Sequence, residues 1–297
     1  MTRPRQFNVS VLVRTCGRSP VFLRRALNSI IGQTVLPEYI IVLNDESNPS
    51  AVESELAQIN FVGLPLRHLS RNEGLQPHSN RSKALNRGIA EATTQWIAIL
   101  DDDDTWAPNF LERVAGVLVT NEARSDFGGV ITQTEAIYER VKGNEIIQTG
   151  SEPFNPQLRA LDLAALTVET QFTINSMVIS RRVFEAVGGY REDLPMQEDW
   201  EFNVRAATRF HFEVIPEPLV RYHQRPSDDS AANTSAKELD RVAIMIRNEW
   251  LRKDIAEGRL GLGQLSLAGE SRGLGRELSR WIRWRKKIAR WLGRSSR

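Results

Sequence analysis

Four consecutive aspartates, Asp101-Asp102-Asp103-Asp104, follow directly on the apolar run Trp96-Ile97-Ala98-Ile99-Leu100. Adjacent carboxylates repel one another unless a cation neutralises them. Mg2+ and Mn2+ favour carboxylate oxygens and share their coordination with substrate phosphates. In a tight turn after a strand, alternate residues aim at one point, so Asp101 and Asp103 are the expected pair. The competing reading is a solvated turn in which Asp104 caps the helix that starts near Pro108. The position flush with a strand end favours function, because ligands of open α/β sheets bind beyond the carboxyl ends of the strands. Two more polar clusters hold comparable places: Arg14-Thr15 after the first strand and Asn44-Asp45 after the second. Three such clusters on one edge imply one site.

A parallel sheet is needed to gather these residues, and residues 7–104 alternate strand and helix signals in the way such a sheet requires. Phe7–Val13 reads as a strand. Ser19-Pro20 reads as a helix start, followed by Phe22, Leu23, Ala26, Leu27, Ile30 and Ile31 at helical spacing. Tyr39–Leu43 is a buried strand, 50–60 a helix, Leu64–Leu69 a strand, Ser79–Ala92 a helix and Trp96–Leu100 a strand. Beyond the aspartates, Pro108–Thr120, Val183–Val187, Gln197–Thr208 and 235–257 are predicted helices. Strand-like pieces fall at 127–134 and 172–180, and two short strands at 211–222 flank Pro216 and Pro218. The Gly-rich stretch 258–275 reads as a linker before a final helix at 276–292.

The 297 residues are 41% hydrophobic and 26% charged, enough for one large packed domain with an appendage. Cys16 is the sole cysteine, which excludes an intrachain disulfide and fits a reducing compartment. The first apolar run, Val9–Val13, is far shorter than a signal-peptide core. No stretch approaches the ~18 apolar residues of a membrane span. The expectation is a cytoplasmic chain, soluble or peripheral at the inner face of the cell membrane.

The ordered set of motifs resembles glycosyltransferase family 2, with the GT-A fold. The matching pieces are Val9–Val13, Ile40-Ile41-Val42-Leu43-Asn44-Asp45-Glu46-Ser47, Lys83-Ala84-Leu85-Asn86-Arg87-Gly88-Ile89, Ile99–Asp104, Gly188-Gly189-Tyr190 and Glu198-Asp199-Trp200-Glu201. They span roughly residues 7–225. The implied fold is α/β: a Rossmann-like mixed, mainly parallel sheet flanked by helices, with a C-terminal helical extension. The implied organisation is a catalytic domain at 1–230 (nucleotide half 1–105, acceptor half 106–230), a helical extension at 231–257, the linker and the basic helix.

The resemblance implies an inverting, metal-dependent transfer from a nucleoside-diphosphate sugar, UDP or dTDP favoured. The acceptor would be a hydroxyl of a saccharide or lipid-linked saccharide, as in surface polysaccharide synthesis. Asp45 matches the carboxylate that reads the base, and an acceptor at a strand end suits an imide N–H. Arg14 and Thr15 match the first-loop nucleotide contacts; Cys16 replaces an aromatic that often stacks on the base. Asp101 and Asp102 are expected at the donor, and Asp103 with Asp101 at Mn2+ or Mg2+. Arg71, Asn72, Asn80 and Arg81 precede or open the helix at Lys83–Ile89, and Arg81 is the candidate for the diphosphate. Glu198-Asp199 matches the pair whose aspartate removes the acceptor proton. The family often shows Tyr-Arg-x-His late in the domain; here the order is Tyr222-His223-Gln224-Arg225, with His223 a candidate metal ligand. Trp106 and Trp200 are candidate sugar platforms, although burial is the default for tryptophan.

Residues 271–297 carry ten Lys/Arg against Glu277, a local charge of +9, and leave −7 for the rest. Leu274, Leu278, Trp281, Ile282, Ile288, Ala289 and Leu292 share one helical stripe, with Arg280, Arg283, Lys286, Lys287, Arg290 and Arg294 around it. This composition suits an anionic membrane surface. A helix docked on the catalytic domain or on a partner is the plainer reading. No nucleic-acid module accompanies the charge. A sugar nucleotidyltransferase would share sheet and metal but want a Gly-rich phosphate loop where only Gly17 stands. An inactive membrane-bound scaffold would not need the intact carboxylates.

Overall fold

The computed structural model describes residues 6–15, 20–44, 50–70, 81–143, 145–225 and 236–272. Asp45, Cys16, Arg71, Asn72, Asn80 and the helix expected at 276–292 lie outside the described residues. The chain divides into two compact units: residues 1–161 with 171–242, and residues 162–170 with 243–297.

The larger unit is built on β1 (Gln6–Thr15), β2 (Leu36–Asn44), β3 (Leu66–Ser70) and β4 (Trp96–Asp101), joined through α1 (Pro20–Ile31), α2 (Ser50–Ala57) and α3 (Arg81–Glu91). These four strands run parallel in the order β3-β2-β1-β4. The continuous apolar runs of β1, β2 and β4 are buried, as strands covered on both faces must be. One face packs on Leu23, Leu27 and Ile30 of α1, and Val9, Val11, Val13, Ile40 and Val42 point into that core. The second face takes Leu85 and Gly88 of α3; a Cβ on Gly88 would stand 2.8 Å from Leu43 Cδ1, so glycine permits the close approach.

The sheet then turns antiparallel. β5 (Thr105–Trp106) and α4 (Phe110–Asn121) lead into β6 (Phe127–Lys142) and β7 (Glu145–Pro153). A 3-10 turn at Ile174–Ser176, β8 (Met177–Ser180), α6 (Arg181–Val187), α7 (Glu198–Ala207) and β9 (His211–Gln224) complete the unit. α5 (Leu163–Leu166) belongs to the smaller unit, and α8 (Ala236–Glu257) begins at the end of the larger one. β8 pairs antiparallel with both β4 and β6, while β9 runs parallel to β6.

Three sequence expectations change. β9 is one strand through Pro216 and Pro218, because register shifts on both sides of Gln133 leave Pro216 out of the pairing and set Pro218 opposite Gln133. β6 is twice its expected length and pairs with β7, which was not anticipated because nearly all of its side chains are exposed and carry no alternation. The stretch read as a linker is helical over 262–272. Its glycines serve close packing: a Cβ on Gly263 would lie 2.3 Å from Leu251 Cα, and one on Gly269 would lie 2.0 Å from the Ala164 carbonyl oxygen. Among the described residues, no helix is long and apolar enough to cross a membrane.

Candidate active site

Strand pairing sets Arg14 beside Asp101 and Thr15 beside Asn44, so the strand-end clusters meet on one edge as expected. Arg14 is the link across that edge. Its Nε donates to Asp101 Oδ1 at 2.9 Å and its Nη2 lies 2.7 Å from the same oxygen. Its Nη1 reaches Glu198 Oε1 at 3.5 Å. Burial alone would lower the guanidinium pKa; Asp101 and Glu198 outweigh it and hold the charge firmly. Arg14 therefore joins the end of β4 to the start of α7. Thr15 donates to Asp102 Oδ2 at 2.6 Å, and both residues are buried.

The aspartate run is a turn held from outside. Asp104 N–H donates to the Asp101 carbonyl at 3.1 Å. The Asn175 side chain accepts from Asp101 N–H at 2.9 Å and donates to Asp104 Oδ2. Trp106 Nε1 donates to the Asn175 carbonyl at 2.9 Å, and its ring stacks on Phe110 with centroids 4.4 Å apart. Trp106 and Trp200 are both buried, so packing is their role here. Asp104 accepts from His223 N–H at 2.8 Å. Its pKa is pushed well up by burial and by Asp103 and Asp101.

Asp103 faces a cluster that no local pattern announces. Arg225 Nη2 donates to Asp103 Oδ2, and Arg225 Nη1 donates to Glu139 Oε1 at 2.8 Å. Arg25 Nη1 donates to Glu139 Oε2 at 2.7 Å, and Arg25 Nη2 donates to the Asp103 carbonyl at 2.6 Å. His223 Nδ1 lies 2.9 Å from Glu139 Oε2, and Nε2 lies 3.0 Å from Thr105 Oγ1. A carboxylate only accepts, so Nδ1 carries the proton and Nε2 accepts from the threonine. Burial lowers the His223 pKa despite Glu139, and the ring is neutral. Burial raises the Glu139 carboxyl, but His223 and Arg25 outweigh it and hold it at about 2.

This arrangement bears on the expected metal. Carboxylate oxygens suit Mg2+ and Mn2+, but the Asp101 and Asp103 carboxylates are already bonded to Arg14 and Arg225. Both nitrogens of the His223 ring are bonded to other side chains. No group of three or more His, Cys, Asp or Glu gathers as a metal site among the described residues. As arranged, these residues do not fit a divalent cation.

Glu198 and Asp199 open α7. Gln197 precedes them with φ of 64°, a left-handed turn that aims the first helical turn at the sheet edge. Glu198 is buried and Asp199 half-buried. The Asp199 carboxylate accepts from Trp200 N–H at 2.8 Å. Burial and the neighbouring Glu198 raise its pKa to about 6.

The Gly188-Gly189-Tyr190 motif positions this helix by locking onto α3. Asn86 Oδ1 accepts from Tyr190 N–H at 2.8 Å, and Asn86 Nδ2 donates to the Tyr190 carbonyl at 2.9 Å. Ser82 donates to the Arg191 carbonyl at 2.7 Å. A Cβ on Gly189 would lie 2.3 Å from Asn86 Oδ1. Two motifs distant in sequence are thus one clamp. Asn86→Ala strands a buried backbone N–H and is expected to cost about 1–3 kcal/mol. Gly189→Ala is also destabilising, and the double variant is less so than the sum, because losing the Asn86 side chain makes room for the methyl. Thermal melts of the three variants check this; strict additivity would refute the clamp. Arg81 is the exposed first residue of α3.

The mixed sheet flanked by helices is that of the GT-A fold. The chain matches the profile of glycosyl transferase family 2 over residues 10–188, and it belongs to that family. It is 26% identical over 242 residues to the uncharacterized glycosyltransferase YwdF of Bacillus subtilis, covering 79% of this chain and 82% of that protein. It is 28% identical over 188 residues to the succinoglycan biosynthesis protein ExoW of Rhizobium meliloti, covering 60% of this chain and 57% of that one. The fold is similar to that of S. aureus TarS, with a TM-score of 0.52 and 16% identity over 81% of this chain and 39% of that one. The complex of TarS 1–349 with UDP-GlcNAc gives a TM-score of 0.52 and 17% identity, covering 81% of this chain and 66% of that chain.

Proposed function

We propose that this chain transfers a sugar, with inversion, from UDP- or dTDP-sugar to a hydroxyl of a saccharide or lipid-linked saccharide. The observation that carries the reading is Asp199: half-buried, first-turn, with a pKa raised to about 6, beside a Glu198 that is tied through Arg14 to the strand-end Asp101. A base needs a pKa near the working pH and a path to the acceptor proton. Asp199 takes the proton from the acceptor hydroxyl while that oxygen attacks the anomeric carbon. The diphosphate leaves from the opposite face. One in-line displacement of this kind inverts the centre. Glu198 keeps Asp199 from ionising too readily, and Arg14 fixes Glu198.

The resemblance to a structure holding UDP-GlcNAc and to a succinoglycan biosynthesis protein supports a nucleotide-sugar donor and a polysaccharide acceptor. Asp45 and Arg81 are assigned to the base and diphosphate by their motif positions. The metal dependence expected from the aspartate run is left out of this mechanism, because Arg225 occupies Asp103.

A thermal-shift titration with UDP, dTDP, GDP and CDP tests the donor. A ligand that binds only the folded state raises Tm with the logarithm of its concentration over Kd. UDP or dTDP is expected to stabilise most, by about 3 kcal/mol at 100 times Kd. No shift with any of the four would refute the reading and favour the scaffold.

A further inference from the structure

We infer that Arg225 is the resident counter-ion of Asp103, and that nucleoside-diphosphate binding at this edge does not depend on a divalent metal held by Asp103. This rests on the glycosyltransferase reading. The Arg225 guanidinium bridges Asp103 Oδ2 and Glu139 Oε1 with separate nitrogens. Its side chain is 0% exposed, and Cζ lies 4.7 Å from the centroid of the Phe22 ring. Geometry, burial and stacking together fix it in one place.

Two carboxylates, Asp103 and Glu139, face two guanidiniums, Arg225 and Arg25. A divalent ion at Asp103 would have to displace a fully buried guanidinium from one of its two carboxylates, an unfavourable exchange. The order of residues agrees. Tyr222-His223-Gln224-Arg225 puts arginine where the family pattern has histidine, and it is the arginine that meets the aspartate.

Arg225 acts through Asp103 and is a positioning residue. It ties Asp103 to Glu139 without an ion.

The test is isothermal titration of the full chain with UDP, dTDP, GDP and CDP, each in EDTA and in Mn2+. The nucleotide that binds is expected to show a Kd in EDTA within about threefold of that in Mn2+. A loss of about tenfold or more in EDTA would overturn the inference and leave the functional reading standing. Binding by none of the four under either condition would overturn both.

Electron paramagnetic resonance of Mn2+ with the nucleotide-free chain supplies a second readout that needs no variant to fold. No site tighter than about 1 mM is expected. A tighter site that Asp103→Asn abolishes would overturn the inference. In folded Arg225→Gln, freeing Asp103 is expected to raise Mn2+ affinity at least about tenfold, whereas Arg225→Lys keeps the charge and shows no gain. An Arg225→Gln protein that melts as the wild type yet gains no Mn2+ affinity would count against it.

Discussion

Asp199→Asn is expected to slow sugar transfer by about 10²- to 10⁴-fold, the usual contribution of a positioned base. Donor KM should barely change, because the lost interaction belongs to the transition state. The pH profile gives the sharper test. The Asp199 carboxyl is raised from 3.8 to about 6 by burial and then by Glu198. Only the ionised form accepts a proton, so the wild-type rate should fall about tenfold per pH unit below pH 6 and level off above it. The residual rate of Asp199→Asn should lack that limb.

Stability should move the other way. A carboxyl whose folded pKa is raised stabilises the fold below its unfolded pKa, and that stability is lost as pH rises through the folded value. The wild type therefore carries an unfavourable charge above about pH 6, which asparagine removes. Asp199→Asn is expected to melt at or above the wild-type temperature at pH 7.5 while losing activity. A variant that transfers sugar at the wild-type rate would assign the base elsewhere. One that loses activity because it melts several degrees lower would leave Asp199 a structural residue.

The parallel half of the fold was legible because β1, β2 and β4 carry apolar runs and the strands are separated by helices. The strand-end residues followed, since the topology of such a sheet decides which edge can hold a site. What was not legible depends on tertiary partners. Asn175 lies in a 3-10 turn seventy-odd residues after the aspartates it clamps, and a lone asparagine there has no pattern to mark it. Glu139 sits among Tyr138 and Arg140, both exposed, in a stretch that reads as solvated. Only its period-two position, inward with Ile137, hints that it is buried. Gly263 and Gly269 look like linker residues because sequence shows that they are small, not that another backbone lies against them. His223 is a candidate metal ligand only through the family's late Tyr-Arg-x-His pattern. Its ring instead serves Glu139, a residue that could not be known to be its neighbour.

Glu139→Ala is expected to destabilise the larger unit by about 3–5 kcal/mol, because it leaves buried cations without their shared partner. The Glu139 side chain is 1% exposed and binds Arg25, Arg225 and the His223 ring at once. For a domain of this size that corresponds to a fall in Tm of roughly 6–20 °C. Glu139→Gln keeps the volume and one acceptor and should lose less. The acid side of the stability curve separates lost charge from lost packing. The Glu139 carboxyl is lowered from 4.5 to about 2, His223 and Arg25 prevailing over burial. A depressed carboxyl pKa contributes stability that is complete above the unfolded value and is lost as pH falls through the folded one. Wild-type Tm should therefore decline between about pH 4.5 and pH 2, and Glu139→Gln should flatten that part of the decline. If the glutamine variant melted lower at pH 7 yet kept the full acid limb, Glu139 would matter through shape alone. Arg25 and Arg225 would then have to draw their compensation from Asp103 and the backbone. Because the same carboxylate anchors Arg225, a true loss of charge here should also loosen Asp103 and let Mn2+ bind more tightly than in the wild type.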